Sequence, residues 1–282
     1  MNPKANPEML AQIMFETFNV PALFICSHQI LCMLASHCPT GVLVQSDLCD
    51  TSIFPIVDGH VLPHAASRAG CHCGNDLTSH MISLLQRRGV TFKTNPAANE
   101  TEIRWAEFAF HSRVLSLVEA LCYVAEDYDL EVQTVDEVAY EPTVLASPGQ
   151  AAVICIGSER LACPEILFRP LHPGIASLHG ATDAAIKTCD PGVQHCMRGN
   201  VLLQGSTFAL PGMVARMEKE MRALAPSAHV SVSLAAAHIA WMAGARVASS
   251  SSFLDKCMSY GLYCECGPTA VHSKFPAYAA PM

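Results

Sequence analysis

The sequence predicts an α/β fold, and three observations carry that expectation. Apolar, β-branched stretches at 41–44 and 51–57 read as two strands around a tight polar turn. Stretches of helical period lie on either side of them, at 6–19, 77–88 and 211–224. Strands and helices then alternate along the chain, the pattern of α/β proteins. With 282 residues there is room for one large core or two modest ones.

Composition narrows the function. Hydrophobic residues make up 51% and charged residues 15%, apolar but globular in character. No apolar run has the length of a bilayer span, so no membrane partner is expected. Met1-Asn2-Pro3-Lys4 opens without an apolar h-region, so secretion is not expected. A net charge of −8 and the lack of a basic stripe argue against nucleic acid. Fourteen cysteines are scattered, often inside apolar stretches such as those around Cys32, Cys122 and Cys155. They read as reduced, buried thiols. The sharper alternative is zinc, from Cys71-His72-Cys73 and Cys264-Glu265-Cys266 with His195 and Cys196. Neither pair has the two-residue gap of a zinc knuckle.

In order, 6–19 is a helix with Asn6 as cap and Pro7 in its first turn. Leu10, Ile13, Met14 and Phe18 make its apolar face. A second apolar helix covers 27–36, and its His28 is read as packed or solvent-tipped rather than catalytic. After the strands at 41–57, Asp58-Gly59 turns into a short strand at 60–62. Asn75 or Asp76 caps a helix over 77–88, which Gly89 stops. Residues 93–101 are a loop. A long helix runs from 103 to 127, with Leu115, Val118, Leu121, Cys122 and Ala125 as its apolar stripe and Glu119 beside it. Residues 131–150 are a loop, 152–156 a buried strand, 164–168 a short helix and 169–180 a loop. Helical pieces at 181–188 and 191–198 lead to a strand at 201–203. The helix from Pro211 to 224 places Arg216, Glu218, Lys219 and Glu220 on its wet face. A strand at 230–234, a helix at 241–249 and a Ser-, Gly- and Pro-rich tail complete the chain.

The turn Gln45 to Asp50 stands where an α/β protein usually places phosphate chemistry. It contains no glycine, so its backbone does not easily wrap a phosphate.

A series of collinear motifs resembles the actin family. They are N-P-K-A-N at 2–6, Q-I-M-F-E-T-F-N at 12–19, L-P-H-A at 62–65, D-L-T at 76–78 and L-C-Y-V-A at 121–125. They continue with I-G-S-E-R at 156–160, C-P-E at 163–165, the stretch 200–212, L-A-P-S at 224–227, the Trp241 helix and G-P-T-A-V-H at 267–272. About a dozen residues around 93–110 look like an insertion. The resemblance implies the two-domain fold shared by actins, heat-shock chaperones and sugar kinases, which closes on Mg-ATP and forms filaments. It also implies that most of the first domain's N-terminal sheet and subdomain 2 are missing, since N-P-K falls deep inside the family's chain. The expected units are 1–36 plus 239–282 as a remnant of subdomain 1, 37–72 plus 176–238 as subdomain 3, and 73–175 as subdomain 4.

The family's second phosphate loop, D-x-G-D-G-x-T, is matched here by Gln45-Ser46-Asp47-Leu48-Cys49-Asp50-Thr51. A neutral Gln45 replaces the aspartate that helps hold hydrated magnesium. Asp47 and Cys49 replace both cradle glycines. Two unit charges ~4 Å apart repel by roughly 1–4 kcal/mol, so Asp47 opposes a phosphate. The family's water-positioning glutamine matches His28, and Gln29, one place along, is expected to face elsewhere. On the ribose and base side, Glu119 matches a ribose contact, and Gly205, Ser206 and Thr207 match a Gly-Gly-Thr. A base-side lysine becomes Ala237, and basic neighbours become Val118 and Leu115. These four residues are a vestigial nucleotide face; ATP and magnesium enter by resemblance only, and no catalytic or metal residue is assigned. Arg246 and Ser250 replace aliphatic residues of the family's partner groove, and burying an unpaired arginine is costly. The loop used between filament strands becomes Leu171-His172-Pro173-Gly174.

Three functions follow as expectations. The first is a shortened actin-like protein of the cytoplasm and cytoskeleton, acting on actin or other cytoskeletal partners without catalysis. The second is an ATP-binding filament subunit whose N-terminal quarter lies outside this chain. The third is a decaying copy without selected function. The resemblance implies that the helix at 6–19 packs on a sheet whose strands lie mostly outside this chain, so the ordered centre is expected at 37–238, with weaker support at both ends.

Overall fold

The computed structural model describes residues 5–36, 38–70, 73–89, 99–135, 138–140, 154–232 and 238–275. Helix α1 (Ala5–Gln12) runs into a π-helical turn, Ile13–Thr17. There Phe18 N–H donates to Ile13 O, five residues back, at 3.2 Å. The helix expected over 6–19 is therefore two pieces, with Asn6 inside the first rather than capping it. The widened turn buries Ala11 and Phe15 fully, while Met9, Leu10, Ile13 and Phe18 stay between 40% and 66% exposed.

Strand β1 (Ala22–Leu23) leads to α2 (His28–Ala35), capped by Ser27 Oγ, which accepts from Ile30 N–H. Strands β2 (Gly41–Ser46) and β3 (Thr51–Val57) form the expected antiparallel pair. β4 (His60–Val61) and β5 (Ser67–Arg68) both pair with β3. Helix α3 (Gly74–Arg87) starts a turn earlier than expected. Asp76 is not its cap but reaches back to accept from Cys73 N–H at 3.0 Å.

Helix α4 (Glu100–Leu121) opens on a reciprocal cap between Asn99 and Glu102 and ends at Cys122, which turns extended, short of the expected 127. Its buried residues are Val114, Leu117 and Val118. Of the predicted stripe, Val118, Cys122 and Ala125 are buried and Leu121 packs against the large core, while Leu115 is half-buried; Val114 and Leu117 complete the buried side. α5 (Tyr128–Glu131) follows, and β6 (Val138–Tyr140), inside the expected loop 131–150, pairs antiparallel with β7 (Ile154–Ile156), which falls within the expected strand 152–156. Residues 141–153 lie outside the described residues.

Helix α6 (Glu159–Glu165) precedes the expected 164–168. α7 (Leu178–Lys187) and α8 (Pro191–Arg198) carry Ser177 and Asp190 as caps. β8 (Val201–Gln204), a 3₁₀ turn at Ser206–Ala209, α9 (Met213–Leu224) and β9 (Val230–Val232) follow. Last come α10 (Ile239–Ala248), α11 (Phe253–Lys256), β10 (Met258–Ser259), α12 (Tyr260–Cys266) and α13 (Ala270–Lys274). The tail from 250 is thus helical in pieces rather than loop.

The main sheet has the order β4-β3-β2-β8-β9, with β5 on β3. β2, β8 and β9 run parallel, and β3 is antiparallel to β2. This mixed sheet among helices makes the fold α/β. Alternation along each strand feeds two cores. Val42, Val44, Ile53, Val201 and Leu203 join the large cluster that includes α3, α4, α7 and α9. Leu43, Phe54, Ile56 and Leu202 join Cys32, Met33 and Ile239 on the α2–α10 side.

The two ends of the chain build a third core. Ala11, Phe15 and Ile25 pack with Met258, Tyr263, Ala270, Val271 and Phe275. Phe15 stacks on Tyr263 at 4.7 Å, and β1 pairs with β10. No helix among the described residues is long and apolar enough to cross a membrane.

Candidate functional site

The parallel strands β2 and β8 end side by side, Gln45 opposite Gln204. Each is followed by a turn, and a cavity of about 510 Å³ opens beside the first. Its lining includes Gln29, Gln45, Asp47, Asp50, Ser52 and Arg68.

The first turn is closed by its own bonds. Asp47 N–H donates to Asp50 O at 2.9 Å, and Thr51 Oγ1–H donates to Ser46 Oγ at 2.8 Å. Gln45 Nε2 donates to Asp47 Oδ2, and Ser52 Oγ to Asp50 Oδ2. A helix N-terminus is a ready anion site, and α3 begins beside this turn. Yet Gly74 N–H and Asn75 N–H already donate to Asp47 O and Leu48 O. Arg68, the one cation lining the cavity among the described residues, is exposed and pairs with Asp50 at 3.3 Å. The polar surroundings of an incoming phosphate therefore include two carboxylates, two neutral amides, the Ser52 hydroxyl and a partly neutralised guanidinium.

Gln29 corrects an expectation. It was placed facing away, but it lines the cavity, while His28 is exposed outside it. Helix α2 begins at His28 itself, and that phase turns position 29 inward. No signal in the sequence fixes the phase that closely.

The second turn is open in a different way. Gly205 has φ +125°, and a Cβ there would lie 1.8 Å from Ser46 O. The glycine lets β8 end against the backbone of β2. Thr207 is buried, with an Oγ1 that finds no partner among the described residues, and Ser206 is exposed. Glu119 is exposed on α4 and does not line the cavity. The structure thus sets Gly205 against the first turn. Ala237 lies outside the described residues.

Behind the second turn sits a feature that sequence reasoning missed. Arg216, expected on the wet face of α9, is 3% exposed. Its Nη1 and Nη2 donate to Glu165 at 3.2 and 3.0 Å, Nη1 also donates to Ala125 O, and Nε donates to Glu220 at 2.7 Å. The guanidinium lies over the Phe168 ring at 4.9 Å. Burial pushes the Glu165 carboxyl up, against the opposing pull of Arg216. Arg169 extends the network from Glu165 to Asp129.

Among the described residues, no three His, Cys, Asp or Glu side chains group as metal ligands. Cys71 and His72 lie outside them, Cys196 is exposed on α8, and Cys264 and Cys266 are exposed together on α12. Cys32, Cys122, Cys163 and Cys189 are buried. Burial pushes the Cys32 thiol up to about 12, which keeps it neutral and unreactive at pH 7. A family model described as Actin matches residues 1–276 of the chain.

Proposed function

The chain belongs to the actin family, and from that premise we propose that it acts through protein surfaces, as a structural or interaction component, without hydrolysing ATP. The observation that carries this is the turn after β2. Asp47 and Asp50 stand in the cavity, Asp47 N–H is committed to Asp50 O, and the first amides of α3, Gly74 and Asn75, donate to the turn's carbonyls. Gln29 at the cavity could orient a water, but orientation without a bound triphosphate does no chemistry. Glu119, Gly205, Ser206 and Thr207 remain as a vestigial nucleotide face that gives weak binding at most. Cytoplasmic location and cytoskeletal partners follow the family and are part of the same proposal. So is the division into 1–36 with 239–282, 37–72 with 176–238, and 73–175; the three buried clusters support part of it, since the ends share a core of their own.

Titration calorimetry tests the reading directly. MgATP is expected to bind no tighter than about millimolar, roughly −4 kcal/mol. Micromolar affinity, or steady phosphate release lost in Gln45→Ala, overturns it. Co-pelleting with conventional actin then reads the interaction role.

A second reading is an ATP-binding filament subunit whose N-terminal quarter lies outside this chain. The bare apolar face of Met9, Leu10, Ile13 and Phe18 favours it, as a surface awaiting a sheet. An in-frame upstream coding segment with a glycine-rich phosphate loop would decide for it.

A further inference from the structure

We propose that α4 is a self-association helix, pairing antiparallel with α4 of a second copy through Trp105 and Phe108. The inference rests on the first half of the helix, not on the cavity beside β2. No residue from Glu100 to Arg113 is buried, whereas Val114, Leu117 and Val118 are. The core therefore grips the second half, and the first three turns project.

Helical spacing puts Ile103, Phe110, Val114 and Leu117 on one face and Thr101, Trp105, Phe108 and Ser112 on the opposite one. Trp105 is 67% and Phe108 66% exposed, edge to face at 6.1 Å, beside a shallow groove shared with Glu100, Thr101 and Arg104. A solvent face on a charged, capped helix has no folding reason to carry two large aromatics three residues apart.

Charge selects the occupant. The N-terminal end of this segment carries Glu102 and Glu100, the latter already paired with Arg104 at 2.8 Å, and its C-terminal end carries His111 and Arg113, so Glu102 with Arg113 is the charge pair that selects the partner. Glu102 and Arg113 share one flank of the aromatic stripe, and Glu100 and His111 share the other. A two-fold axis between Trp105 and Phe108 sets Trp105 against the partner's Phe108 and Thr101 against the partner's Ser112. The same axis brings Glu102 near the partner's Arg113 and Glu100 near the partner's His111. A parallel pair would instead stack acid on acid and align the helix dipoles. The surface is thus self-complementary in the way a two-fold interface requires.

Size sets the strength. Two aromatics of roughly 150–250 Å² each, about two-thirds open, keep the interface below the ~1,200 Å² of a standard stable one. The dimer is therefore reversible, dissociating in the micromolar range.

Analytical ultracentrifugation of the full chain, from low to high micromolar, reads it. A monomer–dimer equilibrium is expected, weakened at least tenfold by Trp105→Ser with Phe108→Ser while far-UV circular dichroism is unchanged. Arg113→Glu should weaken it as well, and Glu102→Arg on that background should restore it. A photoreactive benzophenone residue at Thr101 should crosslink to the partner's peptide containing Ser112, not to its own position. A monomer throughout the range overturns the proposal. So does a dimer that survives the aromatic pair's loss or crosslinks Thr101 to Thr101. None of these outcomes depends on nucleotide binding.

Discussion

The turns after β2 and β8 sit on neighbouring parallel strands and meet a few ångströms apart, yet they are built on opposite principles. The first has no glycine and closes on side chains and on α3. The second depends on Gly205 in a backbone conformation that only glycine adopts cheaply. The difference teaches how to weigh a retained glycine. Gly205 matches a nucleotide-binding glycine of the family, but its neighbour here is Ser46 O, and packing alone accounts for it. The two acidic side chains of the first turn bond Gln45, Ser52 and Arg68, and they also line the cavity, where they bear on any ligand.

The largest effect that would sharpen this contrast is expected behind the second turn. Arg216→Ala strands Glu165 in a buried site without its bidentate partner. Such a loss costs about 3–5 kcal/mol, read as a shift in the urea midpoint. A cost below ~1 kcal/mol would mean the pair behaves as a surface contact.

Next comes the glycine itself. Gly205→Ala places a methyl on the Ser46 carbonyl at a strained φ, for roughly 2–4 kcal/mol. Cys49→Gly in the first turn should change stability by less than ~1 kcal/mol. Equal costs in the two turns would break the comparison.

The smallest effect concerns ligand. Asp47→Gly with Cys49→Gly removes one carboxylate and restores a flexible turn. MgATP affinity measured by calorimetry should rise by about tenfold, near 1.4 kcal/mol. No rise would place the obstacle elsewhere, for example in the α3 amides already committed to this turn.

Local signals carried much of the architecture. The β2–β3 pair and the helix at 191–198 follow from turn chemistry and period, because both are decided within a few residues. Arg216 was not legible. Its pattern on α9 is that of a solvated residue, and only Glu165, 51 positions earlier, reverses that reading. The core face of α4 was half legible: Val118 and Cys122 are buried as the period requires, whereas Val114 and Leu117 join them through packing that no local signal reports. The cavity was half legible. Asp47 and Asp50 stand out in the sequence, whereas Arg68 and Gln29 reach it through strand pairing and helix phase.

The parallel join of β2 to β8 has a consequence for how the molecule is made. Asn200 Nδ2 bonds Thr40 O across 160 residues of chain. A ribosome adding ~5–20 residues per second takes roughly ten to thirty seconds to cover that stretch. Throughout that interval the Val42–Val44 edge has been synthesised but its mate has not. Nascent chains stalled between residues 60 and 200 should therefore be clients of trigger-type chaperones, and release from them should coincide with the emergence of β8.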